Sequence, residues 1–339
     1  SELFVANRMG TEREVEEIVQ RDVQKSVFLF DNWFGKAPFD HLVATEIPYP
    51  HGQAFHGLIH LSFSTFLQNV RQGYDQIFRA HEVAHQWWGI GVGFRTYHDQ
   101  WLSEGFSNYS GLMYLQQSSG DNAKFLRRLR EWKDDVLKNR QFVFGKGQEA
   151  GPVWLGYRTE STSTKDDYDL IIYKKGAWVL HMLRSLMTDL KTQDDSRFKA
   201  MMKDFFETYR NQKASTEDFQ LMVEKHLGIG MEWFFRQWVH DTRIPSYEFA
   251  WREEGKSNDN LYKVRCRVRQ NGVADDFQMF VPVLVEYRNH DKEMFRVLVK
   301  GGFSEFELPP LSEKPQRVTF NPIESILCES DEVDWESNK

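Results

Sequence analysis

The chain has 339 residues, 40 % of them hydrophobic and 15 % aromatic, enough apolar material for about two domains, which excludes a single small module and a disordered chain. Its 43 Lys and Arg against 50 Asp and Glu leave a net charge of −7, the wrong sign for a protein whose main partner is a nucleic-acid backbone. No run approaches the ~18 apolar residues of a membrane span, the first residues lack the layout of a signal peptide, and two cysteines, Cys266 and Cys328, are too few for a disulfide framework or a thiolate metal cage.

From Thr11 to Phe30, Val15, Ile18, Val19, Val23 and Val27 recur at helical spacing, and Asp31, Asn32, Gly35 and Pro38 then break the pattern. The runs His41–Ile47 and Gly57–Ser62 are short and β-compatible and read as an edge hairpin or lip. Between Phe66 and Val239 no strand pattern stands out, and amphipathic helices are expected over 69–88, 100–117, 122–138, 168–189, 196–210, 216–226 and 231–240. The glycine-rich and polar stretch from Phe144 to Asp167 reads as a long surface loop. After Pro245 the period changes to two, with Val264, Cys266 and Val268 alternating with Arg265, Arg267 and Arg269, and further strands are expected at Phe280–Tyr287, Glu293–Val299, Glu305–Leu308 and Arg317–Phe320. The organisation expected is α+β: a mostly helical domain over 1–245, a small antiparallel β-sandwich over 246–330, and an acidic tail over 331–339.

The segment Arg79-Ala80-His81-Glu82-Val83-Ala84-His85 carries the most specific chemistry. Residues four apart share a helix face, so His81 and His85 can offer two imidazole nitrogens to one ion while Glu82 projects beside it. Val70, Tyr74, Ile77, Phe78, Ala84 and Trp88 make that helix a buried one, with Gly89 as its stop. Nineteen positions past His85, Glu104 sits between Leu102 and Phe106, where a lone charge needs a partner. Catalytic zinc takes three protein ligands and keeps a fourth position open, and Glu104 completes that set for one Zn2+ per chain.

His81 to Gly89, with eighteen residues between His85 and Glu104 of Trp101-Leu102-Ser103-Glu104-Gly105-Phe106, resembles the gluzincin metallopeptidases of the aminopeptidase N and leukotriene hydrolase family. Tyr173-Lys174-Lys175-Gly176 is similar to that family's Y-x-K-G helix start. The resemblance implies a thermolysin-like catalytic domain followed by a β-sandwich, a peptide or protein substrate, Glu82 as general base and then acid, and Tyr173 as donor to the oxyanion. The family's large N-terminal β domain has no counterpart, which leaves room for a further domain ahead of this chain. The compartment stays open.

One departure concerns the substrate. Family aminopeptidases bind the free amino group through the glutamate of a G-A-M-E-N loop. Laid against it without a gap, this chain has Gln53, Ala54, Phe55, His56 and Gly57 across the substrate-binding stretch, with Ala54 at the glutamate position and Phe55 at the asparagine. A methyl group cannot pair with an ammonium ion; Glu46, Glu160 or the neutral Gln53 would have to replace it. His51, His56 and His60 fit no ligand geometry and read as ordinary surface histidines, and Trp87 and Trp88 as core. Four functions are compatible with these residues: an aminopeptidase with a substituted amine anchor, which spares N-acetylated peptides; an endopeptidase or oligopeptidase, which cuts them internally; a non-peptidase hydrolase, which leaves peptides alone; and a binding domain that keeps its metal.

Overall fold

The computed structural model of the chain describes residues 2–4, 13–67, 73–120, 122–138, 150–160 and 166–336. Thr11, residues 69–72 of the second expected helix with Val70, residues 144–149 and 161–165 of the expected loop, and 337–339 of the tail lie outside the described residues. Two compact units form, one of Ser1–Leu180 with Ser196–Glu232, the other of His181–Asp195 with Trp233–Lys339. Among the described residues no helix is long and apolar enough to cross a membrane.

The first unit begins with β1 (Glu2–Phe4) and α1 (Arg13–Phe34), which buries Val15, Val19, Val23, Phe30 and Phe34. Strands β2 (Val43–Ile47), β3 (Gln53–Phe55) and β4 (Leu58–Ser62) join β1 in a sheet of order β1-β2-β4-β3. The expected two-strand hairpin is therefore corrected: β2 and β4 run parallel, and β3 is the antiparallel edge strand. Residues 48–52 thus pass over the end of β4 to start β3.

Helices dominate the remainder of this unit: α2 (Tyr74–Ala84), α3 (Trp101–Ser119) and α4 (Asn122–Leu137), a π-helix over Asp169–Lys175 that continues into α5 (Gly176–Met187), of which Gly176–Leu180 belong to this unit, then α6 (Ser196–Tyr209) and α7 (Thr216–Leu227). Two strands interrupt them, β5 (Val92–Phe94) and β6 (Gln212–Ala214), paired in parallel. At three residues each they are too short to show a period, which is why the sequence reads as strand-free there. Trp88, Phe106, Phe205 and Phe219 interlock in the core, with Phe106 and Phe219 centroids 4.8 Å apart.

Two buried polar networks fix the helices that matter for the site. Arg79, fully buried on α2, bonds Asp22 of α1 at 2.6 Å and Thr65 through both its Nε and Nη2, while Tyr114 of α3 donates to the other Asp22 oxygen at 2.7 Å. A charge without water needs such complete partnering, and removing one member of a buried pair costs about 3–5 kcal/mol. Asp99, before α3, accepts from Thr216 N and Oγ1 at 2.8 and 2.9 Å, tying the start of α3 to α7.

In the second unit, α8 (Glu232–Trp238) precedes seven strands: β7 (Ser246–Lys256), β8 (Tyr262–Asn271), β9 (Gln278–Tyr287), β10 (Lys292–Lys300), β11 (Phe303–Glu307), β12 (Pro315–Phe320) and β13 (Glu329–Glu332). They make sheets of order β11-β8-β7-β13 and β10-β9-β12, whose buried faces carry Val264, Cys266 and Val268 and Val281, Val283 and Val285. Phe249 of β7 stacks on Phe320 of β12 at 5.2 Å. Arg265 and Arg267 face outward to Glu305, as the alternation requires. The antiparallel expectation fails at one place: β13 pairs parallel with β7, and it takes Asp331 and Glu332 out of the expected tail. Four polar residues in a row offer no alternation to reveal that strand. Cys266 and Cys328 are buried free thiols, and burial pushes Cys266 up to about 12.

Candidate active site

α2 delivers the two histidines. It ends sooner than the expected 88, at Ala84, with His85 as its cap still in helical geometry, so His81 and His85 keep the same face. Residues beyond it turn, with Ile90 N bonded to His85 O and Gly91 N to Gln86 O, and Trp87 and Trp88 go to the core as expected. Glu104 comes from the first turn of α3. The Nε2 atoms of His81 and His85 lie 3.0 Å apart, and Glu104 Oε2 is 3.5 and 3.3 Å from them.

Those spacings carry a meaning. A tetrahedral ion with bonds of about 2.0–2.1 Å keeps its ligand atoms roughly 3.3–3.4 Å apart. Glu104 Oε2 is buried and accepts no hydrogen bond among the described residues, and with the two imidazole nitrogens beside it makes the donor set of a borderline-soft divalent cation. His85 Nδ1 lies 3.0 Å from Trp88 O and 3.1 Å from Ser107 Oγ. A carbonyl only accepts, so His85 carries a proton on Nδ1 and turns Nε2 inward, the atom whose lone pair an ion would take.

Two close approaches at glycines shape the surroundings of this cluster. Gly52 lets the lip come against Glu82: a Cβ there would lie 2.1 Å from Glu82 Oε1. Gly105 and Gly176 let α3 and the start of α5 touch backbone to backbone, since a Cβ on Gly105 would meet Gly176 Cα at 3.1 Å. That crossing brings Glu104, one residue before Gly105, together with Tyr173, three before Gly176. The Tyr173 ring stacks on His81 at 5.6 Å with planes 10° apart.

The electrostatics follow from burial and crowding. Burial raises Glu82, which is 5 % exposed, against the opposing pull of His81 and His85. Glu104 is buried too, which alone would raise it, yet His85 and His81 hold it well below the usual carboxylate range. Burial would lower His85, but Glu104 and Glu82 raise it to about 9. Tyr173 is pushed up by burial first and then by Glu104, so its hydroxyl stays a donor at any ordinary pH.

All five residues line one cavity of about 620 Å³, which Gln53 and Ala54 of β3 also line. Phe55 is 45 % exposed and packs edge-on against His60, and it lies outside the cavity, as do His56 and Gly57. Glu46 and Glu160 do not line it either. His51, read from sequence as an ordinary surface histidine, is exposed but stacks on Tyr49 and reaches the cavity wall. Gln86 escaped sequence reading entirely. It accepts from Gly57 N at 2.9 Å and donates to Phe55 O at 2.8 Å, clamping the edge hairpin onto the histidine helix. Its place directly after His85 was the available signal.

The sequence pattern of the peptidase family M1 domain matches residues 66–238, about half of the chain. This chain belongs to peptidase family M1. Within that family it is similar to mouse aminopeptidase O, 25 % identical over 249 residues that cover 66 % of this chain and 29 % of the mouse protein. It is also similar to aminopeptidase N of Escherichia coli, at 22 % over 259 residues covering 74 % and 28 %. Among solved structures, aminopeptidase A of Legionella pneumophila, determined with aspartic acid, superposes with a TM-score of 0.72 at 14 % identity, over 97 % of this chain and 36 % of that one. The M1 chain therefore spans less than a third of the length of these two curated relatives, and the structural likeness speaks for the fold.

Proposed function

We propose that this M1 chain is a zinc-dependent metallopeptidase with His81, His85 and Glu104 as ligands of one Zn2+, Glu82 as general base and acid, and Tyr173 as oxyanion donor. The observation that supports it best is the convergence of three ligand atoms at tetrahedral spacing in a cavity also lined by Glu82 and Tyr173. When bound, zinc supplies Lewis acidity toward the scissile carbonyl and makes water acidic enough to react at neutral pH. Glu82 takes the water's proton and hands it to the departing amine; its burial strengthens it as a base and keeps competing water away. Tyr173 donates a hydrogen bond to the oxygen that becomes negative in the tetrahedral intermediate. The free edge of β3 offers main-chain groups to an extended peptide whatever its side chains.

The domain reading that goes with this is a thermolysin-like catalytic part through residue 245, a β-sandwich over 246–330 and a short acidic tail. Between exopeptidase and endopeptidase modes, one observation favours the latter. The carboxylates lining the cavity, among the described residues, are Glu82, Glu104 and Asp169, and Asp169 is bonded to Lys174 at 2.7 Å. Among those residues, no carboxylate stands beside Ala54 to receive a free amine. Zinc-loaded protein incubated with peptides bearing free or acetylated N-termini tests both parts. Internal cuts in both sets, absent in Glu82→Gln, are expected; removal of single residues from free termini alone would restore the exopeptidase reading, and no cleavage at all would end the peptidase reading.

A further inference from the structure

The same cavity holds a cation that the hydrolytic reading does not use. Arg128 lies on α4 one turn before Trp132, and both line the cavity. Its guanidinium sits 5.9 Å from the centroid of the Tyr74 ring, at the start of α2. Its Nη1 bonds Glu131 Oε2 at 2.5 Å, an i,i+3 pair on the helix surface with Glu131 45 % exposed. A guanidinium is a fork with two usable edges, and this pair leaves the edge made by Nε and Nη2. Among the described residues neither atom has a hydrogen-bond partner, and Nε is buried. A buried N–H without an acceptor is costly and uncommon in folded proteins. Lys174, the other Lys or Arg lining the cavity, is instead answered by Asp169 at 2.7 Å and Asp135 at 3.4 Å.

We propose that the Nε–Nη2 edge of Arg128 receives a carboxylate of the peptide substrate, about three residues from the scissile bond. The distance comes from α2, along which Tyr74 and His81 are seven residues, or about 10 Å, apart. An extended peptide covers that in about three residues. The inference rests on the peptide-hydrolysis reading and deepens it: where the lip at Ala54 has no charge for a substrate amine, the far end of the cavity has one for a substrate carboxylate. Two sources supply the same chemistry, a C-terminal carboxylate or an acidic side chain.

The test uses zinc-loaded Glu82→Gln protein, so that binding is read without turnover. Calorimetry would measure hexapeptides of alanine and leucine in which Glu or Gln occupies each position in turn, with the C-terminus free or amidated. One carboxylate is expected to tighten binding by about tenfold to a hundredfold. That ratio should fall to near one when Arg128→Gln is added and recover in part with Arg128→Lys, which keeps the charge and loses the fork. Loss on amidation identifies the terminal carboxylate; loss on exchanging Glu for Gln identifies the side chain. A ratio near one at every position, or a preference that survives Arg128→Gln, overturns the proposal. A preference in this protein together with uncut peptides in the zinc-loaded parent would retain the carboxylate site and reject peptide hydrolysis.

Discussion

The two walls of the cavity are built on different terms. On the helical wall, the reactive side chains themselves are held in contacts: Arg79 bonded to Asp22 fixes α2, His85 Nδ1 meets Ser107 Oγ and the Trp88 carbonyl, and the glycine crossing sets α3 behind Glu104. On the lip, β3 is held by its backbone, through its pairing with β4 and the two bonds from Gln86 to Phe55 O and Gly57 N. A side chain changed on the first wall loses a partner; one changed at Ala54 or Phe55 leaves every bond that positions the strand intact. On the proposed assignment, reactive groups and recognition groups are thereby separated, and a side chain of the lip can change at little structural cost.

The hardest blow to the helical wall is Glu82→Gln. It should keep zinc and fold normally while lowering kcat by about 10²–10⁴, the usual worth of a placed general base; metal analysis and single-turnover assays decide, and unchanged turnover would remove Glu82 from the mechanism. Tyr173→Phe should cost about 10²–10³ in kcat with little change in KM, because its hydrogen bond strengthens only as the oxyanion forms. An equal loss in KM would make Tyr173 a ground-state binder instead.

The pH dependence of metal uptake probes the same wall more gently. Without metal, His85 is raised from 6.5 to about 9, so it is protonated at neutral pH and must lose that proton to bind an ion. Zinc affinity should then climb by up to about tenfold per pH unit and level off above about 9. The protonated pair with Glu104 also stabilises the metal-free fold, fully below 6.5 and progressively less as pH rises through 9. A flat affinity profile from pH 6 to 9 would contradict this. On the lip, Ala54→Glu should leave the fold intact and favour peptides with free over acetylated N-termini by about tenfold, the worth of one charge-assisted bond. No shift in that ratio would mean that β3 lies out of reach of the substrate's amine.

Legibility in the sequence divided along the same line. The spacing of His81 and His85 needs only a helix to become a ligand pair, and the alternation from Val264 to Arg269 needs only a sheet to sort its faces, so both read directly. Glu104 was tied to the histidines by zinc's need for a third ligand and by its place between Leu102 and Phe106, and the resemblance strengthened that tie; nothing local says that α3 crosses α5 at Gly105. Backbone pairing left weaker traces. β3, β5 and β6 are three residues each, β13 is uniformly polar, and the parallel run of β2 beside β4 depends on β3, which lies between them in sequence but on the outer side of β4 in the sheet. Gln86 was missed for another reason: beyond its place directly after His85, a polar residue just past a helix looks like surface until the hairpin it grips is in place.

The π-helix over Asp169–Lys175 has one extra residue in its turn compared with an α-helix. Each residue of an α-helix turns the chain by about 100°. Tyr173 lies inside that wider turn, three residues before Gly176, whose approach to Gly105 fixes the phase of α5, so the winding between 173 and 176 sets which way the ring stacked on His81 faces. In the language of insertions and deletions, the tyrosine is addressed by chain length as much as by residue identity: a lineage could keep His81, Tyr173 and both glycines and still turn the ring away by losing one position between Tyr173 and Gly176.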